Sequence, residues 1–126
     1  MAEPKWLPEP EAHDYPAALD YLALVTDDAT AKRTVKALAR ATTISKKAKD
    51  LLRASGLTAL GEDNVHVRND LRKMHQGTKL SPVLLIRGDA VTSRPLLIAD
   101  GYHRICAAHV LDEDADVPCR LVSLPL

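Results

Sequence analysis

At Gly77 the hydrophobic period of this chain changes, and no other feature restricts the fold so strongly. Upstream, apolar residues recur every three to four positions, the spacing of one helical face. Downstream come the short unbroken apolar runs PVLLIR (82–87) and PLLIAD (95–100), separated by the turn-rich GDAVTS. That is the pattern of two buried strands joined by a loop. A chain that is helical first and stranded later must lay helices against a sheet, so the expected class is α+β, with a helical N-terminal half packed on a small mixed sheet.

The helical half divides into four segments. YPAALDYLALV places Leu19, Leu22 and Val25 on one face, and TDD offers an N-cap to ATAKRTVKALARA, which aligns Ala31, Val35 and Leu38. SKKAKDLLRASG reads as a third helix, with Ser45 as its cap and Gly56 as its stop. DNVHVRNDLRKMHQG reads as a fourth, with Val67, Leu71 and Met74 in line. Beyond the second strand, HRICAAHVL predicts a short helix and DVPCRLVSL a third strand. A length of 126 residues with 46% hydrophobic content supports one core and is short for two ordinary domains. The expectation is therefore a single domain: a loosely ordered Pro/Glu-rich segment at 1–12, a helical portion at 13–64 and a core at 65–122. Phe is absent, so that core must be aliphatic.

No apolar run approaches the ~18 residues of a membrane helix, and the acidic, Pro-rich start MAEPKWLPEPEAHDYP is unlike a signal peptide. A cytoplasmic protein without membrane contact is expected, with Cys106 and Cys119 as free thiols. Net charge is zero, yet residues 1–28 hold seven acids and one base, whereas residues 29–60 hold eight bases and only Asp50 as acid. Lys32, Arg33, Lys36, Arg40, Lys46, Lys47, Lys49 and Arg53 form either a solvated face or a weak, salt-sensitive contact with DNA or an acidic partner. The aromatics that stack single-stranded bases are missing there.

The stretch PLLIADGYHRICAAH brings Asp100, Gly101, Tyr102, His103 and Arg104 to the start of a helix. A helix N-terminus leaves N–H groups unpaired and carries a positive partial charge, and glycine lets a ligand approach the backbone. Cations at that end are unfavourable unless an anion joins them, so His103 and Arg104 there suggest a phosphate site. The alternative is that they pair with Asp100 or a nearby carboxylate. Asp100 either caps the helix, or acts with His103 as base and orienter near a bound phosphate, or holds a magnesium ion.

The series KLSPVLLIRGD, a loop, and PLLIADGYHRICAAHVLDEDADVPCRLV resembles the ParB/sulfiredoxin-like domain over about Val65 to Val122. The resemblance implies a turn at Gly101, Tyr102, His103 and Arg104 that holds nucleotide phosphates of the ATP or CTP type, with Lys79 and Ser81 facing them. It also implies magnesium and one of three activities: nucleotide hydrolysis, phosphoryl transfer to a small molecule, or nuclease action. Two departures narrow this. Tyr102 stands where sulfiredoxins carry their nucleophilic cysteine and where ParB-type CTPases carry a glutamate, so sulfinic-acid reduction is not expected and CTP hydrolysis loses a residue. No helix-turn-helix follows the third strand, so partition-type DNA binding is not expected either.

His103, Cys106 and His109 lie three apart, which swings each about 60° round a helix and makes a poor zinc set. No zinc is expected. His66 and His75 read as surface residues, and LDEDAD (111–116) as an acidic turn.

Overall fold

In chain order the elements are α1 (Asp14–Val25), α2 (Asp28–Arg40), β1 (Ile44–Lys47), α3 (Ala48–Ser55), α4 (Val65–His75), β2 (Val83–Ile86), β3 (Leu97–Asp100), α5 (Tyr102–Leu111) and β4 (Asp116–Val122). The computed structural model describes residues 3–125. Among these it is an α+β domain of five helices and one four-stranded mixed sheet, ordered β1-β4-β2-β3. β1 and β4 are antiparallel, β4 and β2 parallel, and β2 and β3 antiparallel. None of these helices is long and apolar enough to cross a membrane.

The unbroken apolar run of β2 follows from burial on both faces. Val83 and Leu85 join a core with Leu51, Leu52, Val67, Leu71, Met74 and Ile105, from α3, α4 and α5. Leu84 and Ile86 join a second core with Ala18, Leu22, Ala31 and Leu38, from α1 and α2. The predicted helical half therefore does not form one layer: α1 and α2 cover one face, while α3 and α4 cross to the other and pack with α5. Two runs of apolar positions at alternating faces need two covers, and one helical layer supplies only one.

Local differences have local causes. The buried row of α1 is Asp14, Ala18 and Leu22, leaving Leu19 at the margin and Val25 exposed. In α2 Val35 packs against the core half-buried, and Thr34 is fully buried beside it, its hydroxyl satisfied by donating to the Thr30 carbonyl at 2.7 Å. Ser45 is not a helix cap. It lies in β1, which pairs with β4 in the register Ile44↔Cys119 to Lys47↔Asp116, and the α3 amides of Ala48 and Lys49 donate to the carbonyls of Ala115 and Glu113. Within the segment expected to be loose, Leu7 donates to the Leu80 carbonyl at 2.8 Å, Leu80 donates to the Lys5 carbonyl at 3.0 Å, and Ser81 donates to the Glu11 carboxylate at 2.8 Å. Met1 and Ala2 lie outside the described residues. Asn64 caps α4, and Asp27 caps α2 by accepting from Thr30, as the TDD cluster predicts.

One buried charge escapes sequence reading altogether. Arg120 of β4 lies beneath α2, where its Nη1 donates to the carbonyls of Ala39 (2.9 Å) and Leu38 (3.3 Å) and to the Tyr15 hydroxyl (3.2 Å). Its Nε donates to Thr43 Oγ1 at 3.2 Å. The cation thus sits at the negative end of α2 and satisfies carbonyls that the helix leaves open.

Candidate functional site

A cleft of about 300 Å³ opens where β3 passes into α5. Its walls are the segment before α1 (Glu11, His13) with the first residue of α1 (Asp14), the polar edge of α4 (Asp70, Lys73), Leu80 and Ser81, and residues 100–104. Gly101 is the N-cap of α5 at φ 106°, and no side chain caps this helix. The glycine is required by packing as well as by φ: a Cβ there would overlap the side chain of Val83 and come within 2.8 Å of the Arg104 guanidinium. It admits β2 as a neighbour, so the expected reason for this glycine, close approach of a ligand, is not the only one.

Arg104 is held by carboxylates. Its Nη2 donates to Asp100 Oδ2 at 2.7 Å, and its Nη1 lies 3.9 Å from Asp14 Oδ2. The Arg104 side chain is 13% exposed and that of Asp14 only 4%. Asp14 Oδ2 also accepts from the Glu11 amide at 2.9 Å, and His13 Nε2 approaches Asp14 Oδ1 at 3.4 Å. Burial pushes the Asp100 carboxyl above the usual range, the Arg104 charge and its hydrogen bond oppose this, and the neighbouring Asp14 adds to it. Of the two sequence alternatives for Arg104, pairing with Asp100 is what the side chains adopt, and Asp14 completes the group.

Asp100 and His103 line the same cleft, but no hydrogen bond among the described residues joins them. His103 turns instead toward α4. Its ring centroid is 4.7 Å from that of His66 and 5.3 Å from that of Tyr102. Burial lowers its pKa below 6.5, the His66 charge lowers it further, and Asp70 opposes both. This favours the neutral imidazole. Burial likewise raises the Asp70 carboxyl, against the charges of Lys73, Arg104, His103 and His66.

The remaining expected residues divide. Tyr102 lines the cleft, but its hydroxyl donates to the Thr58 carbonyl and its ring packs against the core. Ser81 lines it too, with its hydroxyl committed to Glu11. Lys79 is exposed and is not among the cleft residues; Lys73 is. Sequence reading missed Lys73, Asp70 and His66, although a signal existed. Each directly precedes a buried residue of α4 (Val67, Leu71, Met74), so the three form a polar strip along the edge of the apolar stripe. His66 is exposed, as expected, and its ring neighbours that of His103.

Cys106 and Cys119 are buried free thiols whose pKa values burial raises, that of Cys119 to about 11. Among the described residues no three His, Cys, Asp or Glu side chains converge as metal ligands. The cleft thus combines an uncapped helix N-terminus, one lysine, two histidines and an arginine with four carboxylates. No family model, curated protein or solved structure matches this chain.

Proposed function

We propose that the cleft binds the phosphoryl group of a nucleotide or other phosphorylated small molecule at the start of α5, within a ParB/sulfiredoxin-like domain. The observation that carries this reading is the coincidence of the uncapped α5 N-terminus with Lys73 and His103 on one concave surface. Unpaired amides and a positive helix end favour an anion, and a lysine ammonium adds a point charge beside them. Arg104 contributes charge from the first turn while anchored to Asp100 and Asp14, so its role is to fix the turn and its electrostatic potential. Tyr102 and Ser81 shape the cleft through their own hydrogen bonds, and Lys79 has no part in it.

The four carboxylates limit what the anion is. A bare polyphosphate would meet Glu11, Asp70 and Asp100 at close quarters, which disfavours it unless a cation accompanies it. Magnesium usually keeps several waters and takes only one or two protein carboxylates beside the phosphates, so an ion shared with a nucleotide needs few protein ligands. Asp70 and Asp100 would hold it, and it would neutralise phosphate charge. His103, in its neutral form, can accept a proton from a hydroxyl or water that attacks the phosphoryl group, a role that suits phosphotransfer or hydrolysis.

The test is a thermal-shift series with inorganic phosphate, ATP and CTP, each with and without magnesium. Saturation at 100 times Kd stabilises the folded state by about 2.7 kcal/mol, a rise of roughly 10 °C for a domain of this size. Lys73→Ala should remove most of that rise and leave the unliganded melting temperature within about 2 °C, as its side chain is a surface cation. A flat response of the wild type to all three compounds defeats the reading.

A further inference from the structure

The structure sorts the eight basic residues of the second quarter of the chain. Arg53 pairs with Asp50 at 3.1 Å and Lys49 with Asp114 at 2.6 Å, so these two are spent on structure. Lys32, Arg33, Lys36 and Arg40 are exposed and, among the described residues, belong to no ion pair. At 100° per residue these four fall within an arc of about 100° on α2, and the arc is centred opposite the buried row Ala31, Thr34 and Leu38. They extend about 12 Å along the axis. Asp27 and Asp28 lie at the N-terminal end, where the helix dipole favours them, and leave the rest of the face without an acid. The edge strand β1 adds exposed Lys47, and Arg120 joins its approach to the end of α2 by bonding Thr43, Leu38 and Ala39.

We propose that the outer face of α2 is a docking surface for the sugar–phosphate backbone of duplex DNA, read without regard to sequence. A duplex presents one phosphate charge about every 1.7 Å of its axis, so a ~12 Å row of four cations meets a polyanion along its whole length. The exposed face of α2 carries no aromatic side chain on which unstacked bases could lie, which favours the duplex over single strands. It also carries no large apolar side chain to enter a lipid interface, which separates it from an amphipathic membrane helix. None of the residues of α2 lines the cleft, so this surface does not depend on the phosphate reading.

The experiment measures binding of a labelled duplex of arbitrary sequence against salt. Four phosphate contacts predict a slope of log affinity on log salt near −3.6, or a loss of roughly a hundredfold between 50 and 200 mM. The variant carrying Lys32→Gln, Arg33→Gln, Lys36→Gln and Arg40→Gln should lose the duplex while keeping its fold by circular dichroism. Each single Lys→Gln or Arg→Gln change should reduce the slope by about 1. Lys73→Ala should bind the duplex as the wild type does. The proposal is overturned if the duplex is not retained at 50 mM salt, if the quadruple variant retains it, or if single strands, polyglutamate or phosphatidylserine vesicles are bound as tightly through the same four residues.

Discussion

Replacing Arg104 with Met removes a guanidinium from between two carboxylates while keeping most of the aliphatic stem. Asp14 is almost completely enclosed, so it cannot turn to solvent, and Asp100 loses its 2.7 Å donor. Removing one partner of a buried pair costs about 3–5 kcal/mol when the remaining charge stays ionised. The protein has a cheaper exit, which is to protonate one carboxyl. For a carboxyl of ordinary pKa 3.8 that costs about 4.4 kcal/mol at pH 7, and less for Asp100, whose pKa burial already raises. The Asp14 contacts to the Glu11 amide and His13 remain. The expected destabilisation is therefore about 2–4 kcal/mol at pH 7, or a fall of roughly 10 °C in melting temperature. The sign of its pH dependence follows: a carboxyl with a raised folded pKa binds its proton more readily in the folded state, so the variant recovers as pH falls from 7 toward 5. Urea unfolding of both proteins at pH 5, 6 and 7 measures this. An unchanged midpoint at pH 7, or a deficit that does not shrink with acidity, would refute the view that Arg104 is the counter-ion of Asp14 and Asp100.

Gly101→Ala should cost on the order of 3 kcal/mol, since a Cβ at φ 106° is strained and also meets Val83; equal stability by calorimetry would mean β2 yields at that point. The His103 imidazole should titrate below 6.5 in NMR spectra of the folded protein. Because that folded pKa is depressed, His103 contributes stability above pH 6.5 that is lost as pH falls through the folded value, and His103→Asn should flatten this part of the stability curve. Cys106 and Cys119 should resist iodoacetamide at pH 8 until the chain is unfolded, because both are buried with raised pKa values; rapid labelling of the native protein would contradict their placement.

Much of the architecture was legible because it is written in short-range periodicity. The 3.6-residue spacing of Val67, Leu71 and Met74 marks α4 and its buried face, and the unbroken runs of β2 and β3 mark strands covered on both sides. The helix start at Gly101 was legible too, because an acid and a glycine end an apolar run there. What escaped depends on partners distant in sequence. β1 is a strand only because β4 lies beside it some 70 residues later, and nothing in ISKK by itself requires pairing. Nor does composition show that the backbone of the 1–12 segment finds acceptors and donors on Leu80. The sequence alone determined that the chain is α+β, with an aliphatic core and a polar, cationic turn ahead of α5. Only the tertiary structure decided the charge state of that turn, because it brings Asp14 from α1 to Arg104, and His66 and Asp70 from α4 to His103. Electrostatic partners interact through space at a few ångströms, and periodicity reports the face a residue occupies without naming what lies opposite.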